Sequence, residues 1–339
     1  MASVDRYPRA VESEWDKAIT MKPVVFIHTN DKQMIGAKVA AYLLKARSRS
    51  ADEFVVRMLR LEETSHLYRR EGQTYLRKGR MATWKNDDLQ SFSPLRMMVP
   101  QAMSFQGRAL VIDPDVFAVG DVYELLARHM QGRAILAKEV AGGYRDNGQP
   151  FYASSVMLLD CARLAHWQWN RQIDEMFTKT LDYGPWISLR LEDPATIGPL
   201  EEEWNHFDML TEHTKLLHNT ERSTQPWKTG LPVDFDTTGQ VHRPVRFGRL
   251  RARLRGLPAL PRTASEIGAP SRYVSHPDRA QERYFLQAVR ECLSAGVFDE
   301  RFLRDEMQKN HVRHDLLERI AELDDNEPAD QEGGHAQRL

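Results

Sequence analysis

The chain has 339 residues, with 47 Lys and Arg against 48 Asp and Glu and a formal net charge of −1. That is room for one large or two small domains, and the balanced charge argues against a dedicated nucleic-acid binder. Cys161 and Cys292 are the only cysteines and belong to no Cys/His cluster, which excludes a disulfide framework or structural zinc and fits a reducing compartment.

Residues 1–20 are a polar lead-in without a hydrophobic leader core, and no run approaches the ~20 apolar residues of a membrane span. The expectation is a cytoplasmic enzyme or binding protein. Val24-Val25-Phe26-Ile27 then forms a compact strand after Pro23 and ends in the polar turn His28-Thr29-Asn30-Asp31. Met34, Ala37, Ala40, Ala41 and Leu44 recur at helical spacing, with Thr29 or Asn30 suited to cap the helix. A second strand is predicted over 54–61, and helix and loop over the Arg-rich stretch to residue 90. A helix over 94–103 leads into a strand at Ala109, and another helix is expected over 121–129. Strands over 133–138 and 154–159 flank a turn-rich stretch at 142–148. Strands alternating with helices over the first 160 residues predict an α/β fold with a mainly parallel central sheet flanked by helices.

Further along, a helix is expected over 163–177, with Trp167 and Trp169 read as packing residues, as are Trp204 and Trp227. Residues 181–229 are loop-rich and dense in His and Trp. The 243–262 stretch carries seven arginines without an acid, together with Pro244, Pro258 and Pro261. It is a solvated loop in the plain reading. Leu250, Leu254 and Leu257 interleave with the arginines, which also suits peripheral contact with an anionic membrane surface. Residues 280–323 are helical by pattern, and the acidic, Gly-containing end is expected to be disordered.

One stretch stands out for chemistry. The apolar run Ala109-Leu110-Val111-Ile112 ends in Asp113-Pro114-Asp115. Two carboxylates delivered from the end of a buried strand suit a hard divalent cation, and in α/β sheets ligands lie beyond the carboxyl ends of strands. The His28–Asp31 turn falls at another such end. The triplet alone is weak, because such a pair also serves as a cap for the next element and a rival stands at Asp234-Phe235-Asp236.

With these residues in order, the chain resembles the glycogenin-like retaining glycosyltransferases of family 8. Thr29-Asn30-Asp31 followed by Gly36-Ala37-x-Val39 is similar to that family's nucleotide-binding start, and Arg96-Met-Met-Val-Pro100 to its Arg-x-x-x-Pro helix. Ala109 to Asp115 is similar to its DxD strand, and Ser154-Ser155-Val156-Met157-Leu158 to the strand after it. Trp204-Asn205, His218 and Pro226-Trp227 are similar to its closing segment. The resemblance spans about residues 24–230. It implies a GT-A fold, Rossmann-like, binding a nucleotide-sugar, usually a UDP-sugar, with Mn²⁺ or Mg²⁺ bridging the diphosphate. Asp113, Asp115 and His218 match the metal ligands. Thr29 and Asn30 match nucleoside contacts, Arg96 suits a phosphate, and Ser154 lies in the donor-binding strand. Oxygen and imidazole donors agree with such a cation on chemical grounds alone. Transfer would go to a glycan, lipid or protein acceptor with retention of configuration. No catalytic nucleophile is identified.

The sequence also departs from that pattern. Gln33 stands where an aromatic residue often stacks on the base, and Ala153-Ser154-Ser155 replaces Asn-Ser-Gly. The Asp-Gln pair is not evident near 186–190. The usual Gly and Lys after His218 are out of register, and Arg222 or Lys228 is in place to supply the missing phosphate-binding cation. These departures leave a rival in which the chain is a catalytically silent GT-A-like module that binds a glycan or protein. A sugar nucleotidyltransferase is less favoured, since 29–36 is not a Gly-rich, basic triphosphate loop. By this reading the catalytic domain runs over 21–235, a basic connector over 236–265, a helical region over 266–323 and a disordered tail over 324–339.

Overall fold

The computed structural model describes residues 21–141, 150–235 and 271–325. The polar lead-in, the 142–148 turn, the 236–265 connector with its arginines, and most of the tail lie outside them. In the first strand, β1 (Val24–Thr29), every residue is buried, as expected for a strand covered on both faces. Val25 and Ile27 enter one apolar cluster, and Val24 and Phe26 enter another on the opposite face. The same alternation runs through Leu110 and Ile112 against Ala109 and Val111. The result is a central sheet with an apolar layer on each side.

The remaining strands are β2 (Val55–Arg60), β3 (Thr74–Arg77), β4 (Arg80–Thr83), β5 (Arg108–Ile112), β6 (Val116–Ala118), β7 (Ile135–Val140), β8 (Phe151–Asp160), β9 (Ile197–Pro199), β10 (His206–Phe207) and β11 (Leu216–His218). Six of them form the main sheet in the order β2-β1-β5-β8-β7-β9. β8 runs antiparallel to both neighbours, while β1 pairs in parallel with β2 and β5, and β7 with β9. The fold is α/β with a mostly parallel sheet, as the alternating pattern predicts. A smaller sheet, β10-β11-β6, sits beside it.

The longer helices are α1 (Met34–Ala46), α2 (Trp169–Thr178), α3 (Arg279–Ser294), α4 (Glu300–Gln308) and α5 (Leu316–Asp325). α1 and the three C-terminal helices share the cluster on one face of the sheet. Phe285 of α3 lies 5.5 Å from the Phe117 ring centroid and 5.1 Å from that of Trp227. Arg313 bridges to Glu282 at 2.5 Å, and its backbone N–H donates to the Trp227 carbonyl. α2, Trp167 and Trp169 fill the other face. All four tryptophans read as packing residues are buried. No helix among the described residues is long and apolar enough to cross a membrane.

Several local expectations are corrected. Neither Thr29 nor Asn30 caps α1. A short 3-10 turn, Asp31–Gln33, intervenes, and no side chain caps either helix start. Thr29 Oγ1 donates to the Asn30 carbonyl, and the Asn30 amide reaches across to residues 88–91. The 62–90 stretch holds a hairpin, β3–β4, whose turn residues Lys78 and Gly79 both have positive φ, as a tight two-residue hairpin turn demands. The helices expected over 94–103, 121–129 and 163–177 are shorter. The first is mostly 3-10 (Ser93–Met98), the second is one turn (Tyr123–Leu126), and the third begins only at Trp169.

Candidate functional site

Parallel pairing aligns the ends of β1 and β5. Ile27 is in register with Ile112, so the residues that follow, His28 and Asp113, lie side by side at the carboxyl edge of the sheet. The Asp113 backbone N–H donates to Ser155 O of β8, and the chain turns at Pro114 into β6. β6 pairs antiparallel with β11, placing His218 opposite Val116, the residue after Asp115. The Asn219 N–H donates to the Asp115 carbonyl at 3.1 Å. One short ladder thus closes a separation of about a hundred residues. Asp113, Asp115 and His218 each offer a ligand atom, and these atoms all lie within 4.8 Å of one another.

The turn between the two aspartates is shaped by α1. A Cβ at Gly36 would lie 2.5 Å from the Pro114 carbonyl oxygen, a backbone atom with little freedom to move. Glycine in the first turn of α1 therefore permits the helix to close against the Asp-Pro-Asp turn.

The surroundings of the three groups differ. Asp113 is buried and receives three donors. Arg96 Nε donates to Oδ1 at 2.9 Å, Arg96 Nη2 donates to Oδ2, and His28 Nε2 donates to Oδ1 at 2.5 Å. Arg96 Nε is also 3.1 Å from His28 Nε2, but an ionised carboxylate oxygen is the stronger acceptor, so both N–H groups serve Oδ1. Burial alone would raise the pKa of Asp113; Arg96 and His28 outweigh it and hold the carboxyl well below the usual range. Burial also pushes His28 below the ordinary imidazole value, against the pull of Asp113. Asp115 has lighter company. Gln225 Nε2 donates to its Oδ2 at 3.3 Å, while its buried Oδ1 has no hydrogen-bond partner.

His218 Nε2 comes within 3.3 Å of Asp115 Oδ1. Its other nitrogen, Nδ1, donates to Asn205 Oδ1 at 2.8 Å, and Asn205 is itself oriented by donating Nδ2 to Ser155 Oγ. This fixes the tautomer with the proton on Nδ1 and the Nε2 lone pair toward the carboxylates, the arrangement that metal-binding histidines require. Burial opposes a charge on His218, yet Asp115 and Asp113 more than offset it and raise its pKa. Two carboxylate oxygens, one of them buried and without a hydrogen-bond partner, and one imidazole nitrogen fit a hard or borderline divalent cation.

The other residues singled out by sequence are placed as follows. Thr29 and Asn30 are buried at the end of β1, and Asn30 Oδ1 has no partner. Arg96 is turned to Asp113 and, through Nη1, to Ser154 Oγ at 2.9 Å, which in turn donates to Ile187 O. Arg222 donates to Gln90 Oε1 and lies 5.7 Å from the Phe235 ring centroid, with no carboxylate in salt-bridge range among the described residues. Burial lowers its pKa. Lys228 is fully buried and paired with Asp234 at 2.9 Å, its pKa also lowered by burial.

His28, Asn205, Gln225 and Gln33 carry roles that sequence reasoning missed. Gln33 Nε2 donates to Gln225 Oε1 at 3.4 Å and so joins the 30–33 turn to Asp115. Signals existed for two of them: Asn205 lies in the Trp204-Asn205 segment that carries the resemblance, and His28 is an imidazole ending an otherwise apolar strand next to the one that ends in Asp113.

No protein-family model matches this sequence, and no curated protein does. Among solved structures, the chain is similar to the galactosyltransferase LgtC in complex with donor and acceptor sugar analogs, with 13% identity over 70% of this chain and 97% of that one and a TM-score of 0.44. It is similar to the glycosyltransferase GlyE of Streptococcus pneumoniae TIGR4, with 15% identity over 62% of this chain and a TM-score of 0.43; the match spans 57% of the GlyE chain. The apo form of mouse xyloside xylosyltransferase 1 overlaps 58% of this chain and 97% of its own at 15% identity and a TM-score of 0.38. Overlap at this level assigns neither a family nor an activity.

Proposed function

We propose that this chain is a divalent-cation-dependent glycosyltransferase of GT-A type that takes a nucleotide-sugar donor. The observation that carries the proposal is the convergence of Asp113, Asp115 and His218 at the carboxyl edge of the sheet, with the His218 tautomer set by Asn205. Asp115 Oδ1, His218 Nε2 and one oxygen of Asp113 would hold Mn²⁺ or Mg²⁺. When bound, that cation supplies Lewis-acid stabilisation of the charge developing on a leaving diphosphate.

The protein's own residues do the rest. Asn205 keeps the His218 lone pair available, and Arg96 and His28 orient Asp113. At the end of β1, the buried Asn30 Oδ1 is an acceptor in want of a donor, which a ribose hydroxyl or a base N–H supplies. Of the two candidate phosphate cations, Arg222 is the better placed, since its charge has no carboxylate partner among the described residues whereas Lys228 is matched by Asp234. With three of its five N–H donors on Asp113 and Ser154, Arg96 serves the metal side first and keeps two N–H groups for a phosphate. The donor we propose is a UDP-sugar, transferred with retention to a glycan, lipid or protein acceptor; that choice rests on the sequence resemblance.

Calorimetric titration with UDP in the presence and absence of Mn²⁺ tests the proposal. Metal-dependent binding is expected, and binding that ignores the metal, or no binding at all, overturns it. Release of sugar from a UDP-sugar then separates an enzyme from a silent binding module.

A further inference from the structure

We propose that His28 is a positioning residue that, with Arg96, confines Asp113 to a single-atom contact with the cation and so biases the site toward small six-coordinate ions over Ca²⁺. The inference rests on the metal centre proposed above. An ionised carboxylate offers about four lone-pair positions. In Asp113 three are taken, two on Oδ1 by His28 and Arg96 and one on Oδ2 by Arg96. One position on Oδ2 is left, too little for the two-oxygen grip that Ca²⁺ sites often use.

The clamp is built to stay. His28 is wholly buried, its ring centroid lies 5.3 Å from that of Phe92, and register with β5 sets it beside Asp113. Arg96 is anchored at its far end by Ser154, which is tied to the Ile187 carbonyl. Asp115 is the opposite case, with one oxygen free of hydrogen bonds. Mn²⁺ and Mg²⁺ keep compact octahedral shells, whereas Ca²⁺ prefers more ligands and flexible geometry, so a carboxylate held to one contact discriminates between them.

Mn²⁺ and Ca²⁺ are titrated separately, without nucleotide, against wild-type protein, His28→Leu and His28→Gln, with thermal unfolding recorded for each. Leucine removes the donor to Oδ1, whereas glutamine can restore an N–H there. The expected result is wild-type preference for Mn²⁺, a loss of about tenfold in Mn²⁺ affinity in His28→Leu with a smaller loss or a gain for Ca²⁺, and recovery of the preference in His28→Gln. Equal losses for both ions, or an unchanged ratio in a folded His28→Leu, would overturn it. If His28→Leu does not fold, His28→Gln decides alone: a preference matching wild type supports the clamp, and a preference lost in that folded protein refutes it. Failure of wild-type protein to bind Mn²⁺ would instead refute the metal centre.

Discussion

Two Asp-any-Asp triplets occur in this chain, and Asp234 of one and Asp115 of the other meet opposite fates. Asp234 is surrounded by donors and cations. Lys228 Nζ is 2.9 Å from its Oδ2, the Tyr273 hydroxyl donates to Oδ1 at 2.5 Å, and Lys32 stands 3.7 Å away. Its charge is matched and its oxygens are occupied, which makes it a structural ion pair over a small apolar cluster of Leu89, Leu231, Phe235 and Tyr273. Asp236 lies outside the described residues. The 113–115 pair sets two carboxylates against an imidazole whose lone pair points inward, and Asp115 keeps an oxygen with no hydrogen-bond partner. Like charges gathered in a buried place are unfavourable without a cation, whereas a carboxylate among cations needs nothing more. The pattern of letters is the same, and the difference lies in which strands and side chains arrive from elsewhere.

Removing the unpartnered oxygen should have the largest effect on that contrast. Asp115→Ala is expected to reduce Mn²⁺-dependent UDP binding at least a hundredfold while leaving the unfolding temperature nearly unchanged, as read by calorimetry and thermal unfolding. Asn205→Ala frees the His218 ring to choose its tautomer and should weaken Mn²⁺ binding by about 10- to 100-fold, with a smaller effect on UDP alone. Gly36→Ala forces the Pro114 carbonyl to move and should cost about 1–3 kcal/mol of stability together with a several-fold loss of metal affinity.

Proton competition comes next. His218 has a raised pKa in the metal-free protein, and a cation needs its neutral form, so Mn²⁺ affinity should fall as pH drops through that raised value, approaching tenfold per pH unit. Stability of the metal-free protein should run the other way. The contribution of His218 is fully present below the ordinary imidazole pKa of 6.5 and is lost as pH rises through the folded value. His218→Gln should flatten both profiles. The smallest effect on metal binding should come from Asp234→Ala. It leaves Mn²⁺ affinity unaltered but strands the buried Lys228 charge, a loss of about 3 kcal/mol in chemical unfolding. A Mn²⁺ response as large as that of Asp115→Ala would dissolve the distinction between the two triplets.

Much of the scaffold was legible in the residues themselves. Two-sided burial of β1 and β5 follows from their unbroken apolar runs, and the spacing of Met34, Ala37, Ala40 and Leu44 marks α1. The positions of Asp113 and Asp115 at a strand end were readable from local pattern, and the resemblance pointed to His218, which the fold brings to them. What local pattern does not carry is reach. The Asn30 side chain does not cap the neighbouring helix because residues 88–91 offer it partners that only folding brings near. His28 became a clamp on Asp113 through the β1–β5 register, and Asn205 a partner of His218 through β10–β11 pairing. Lys228 was drawn from the candidate phosphate site into an ion pair by the approach of Asp234 and Tyr273. Sequence by itself determined where apolar runs end and which polar groups sit at those ends, because burial and periodicity act over a few residues. The tertiary structure decided which of those groups face one another, because hydrogen bonds and charge pairs depend on distances that strand pairing alone sets.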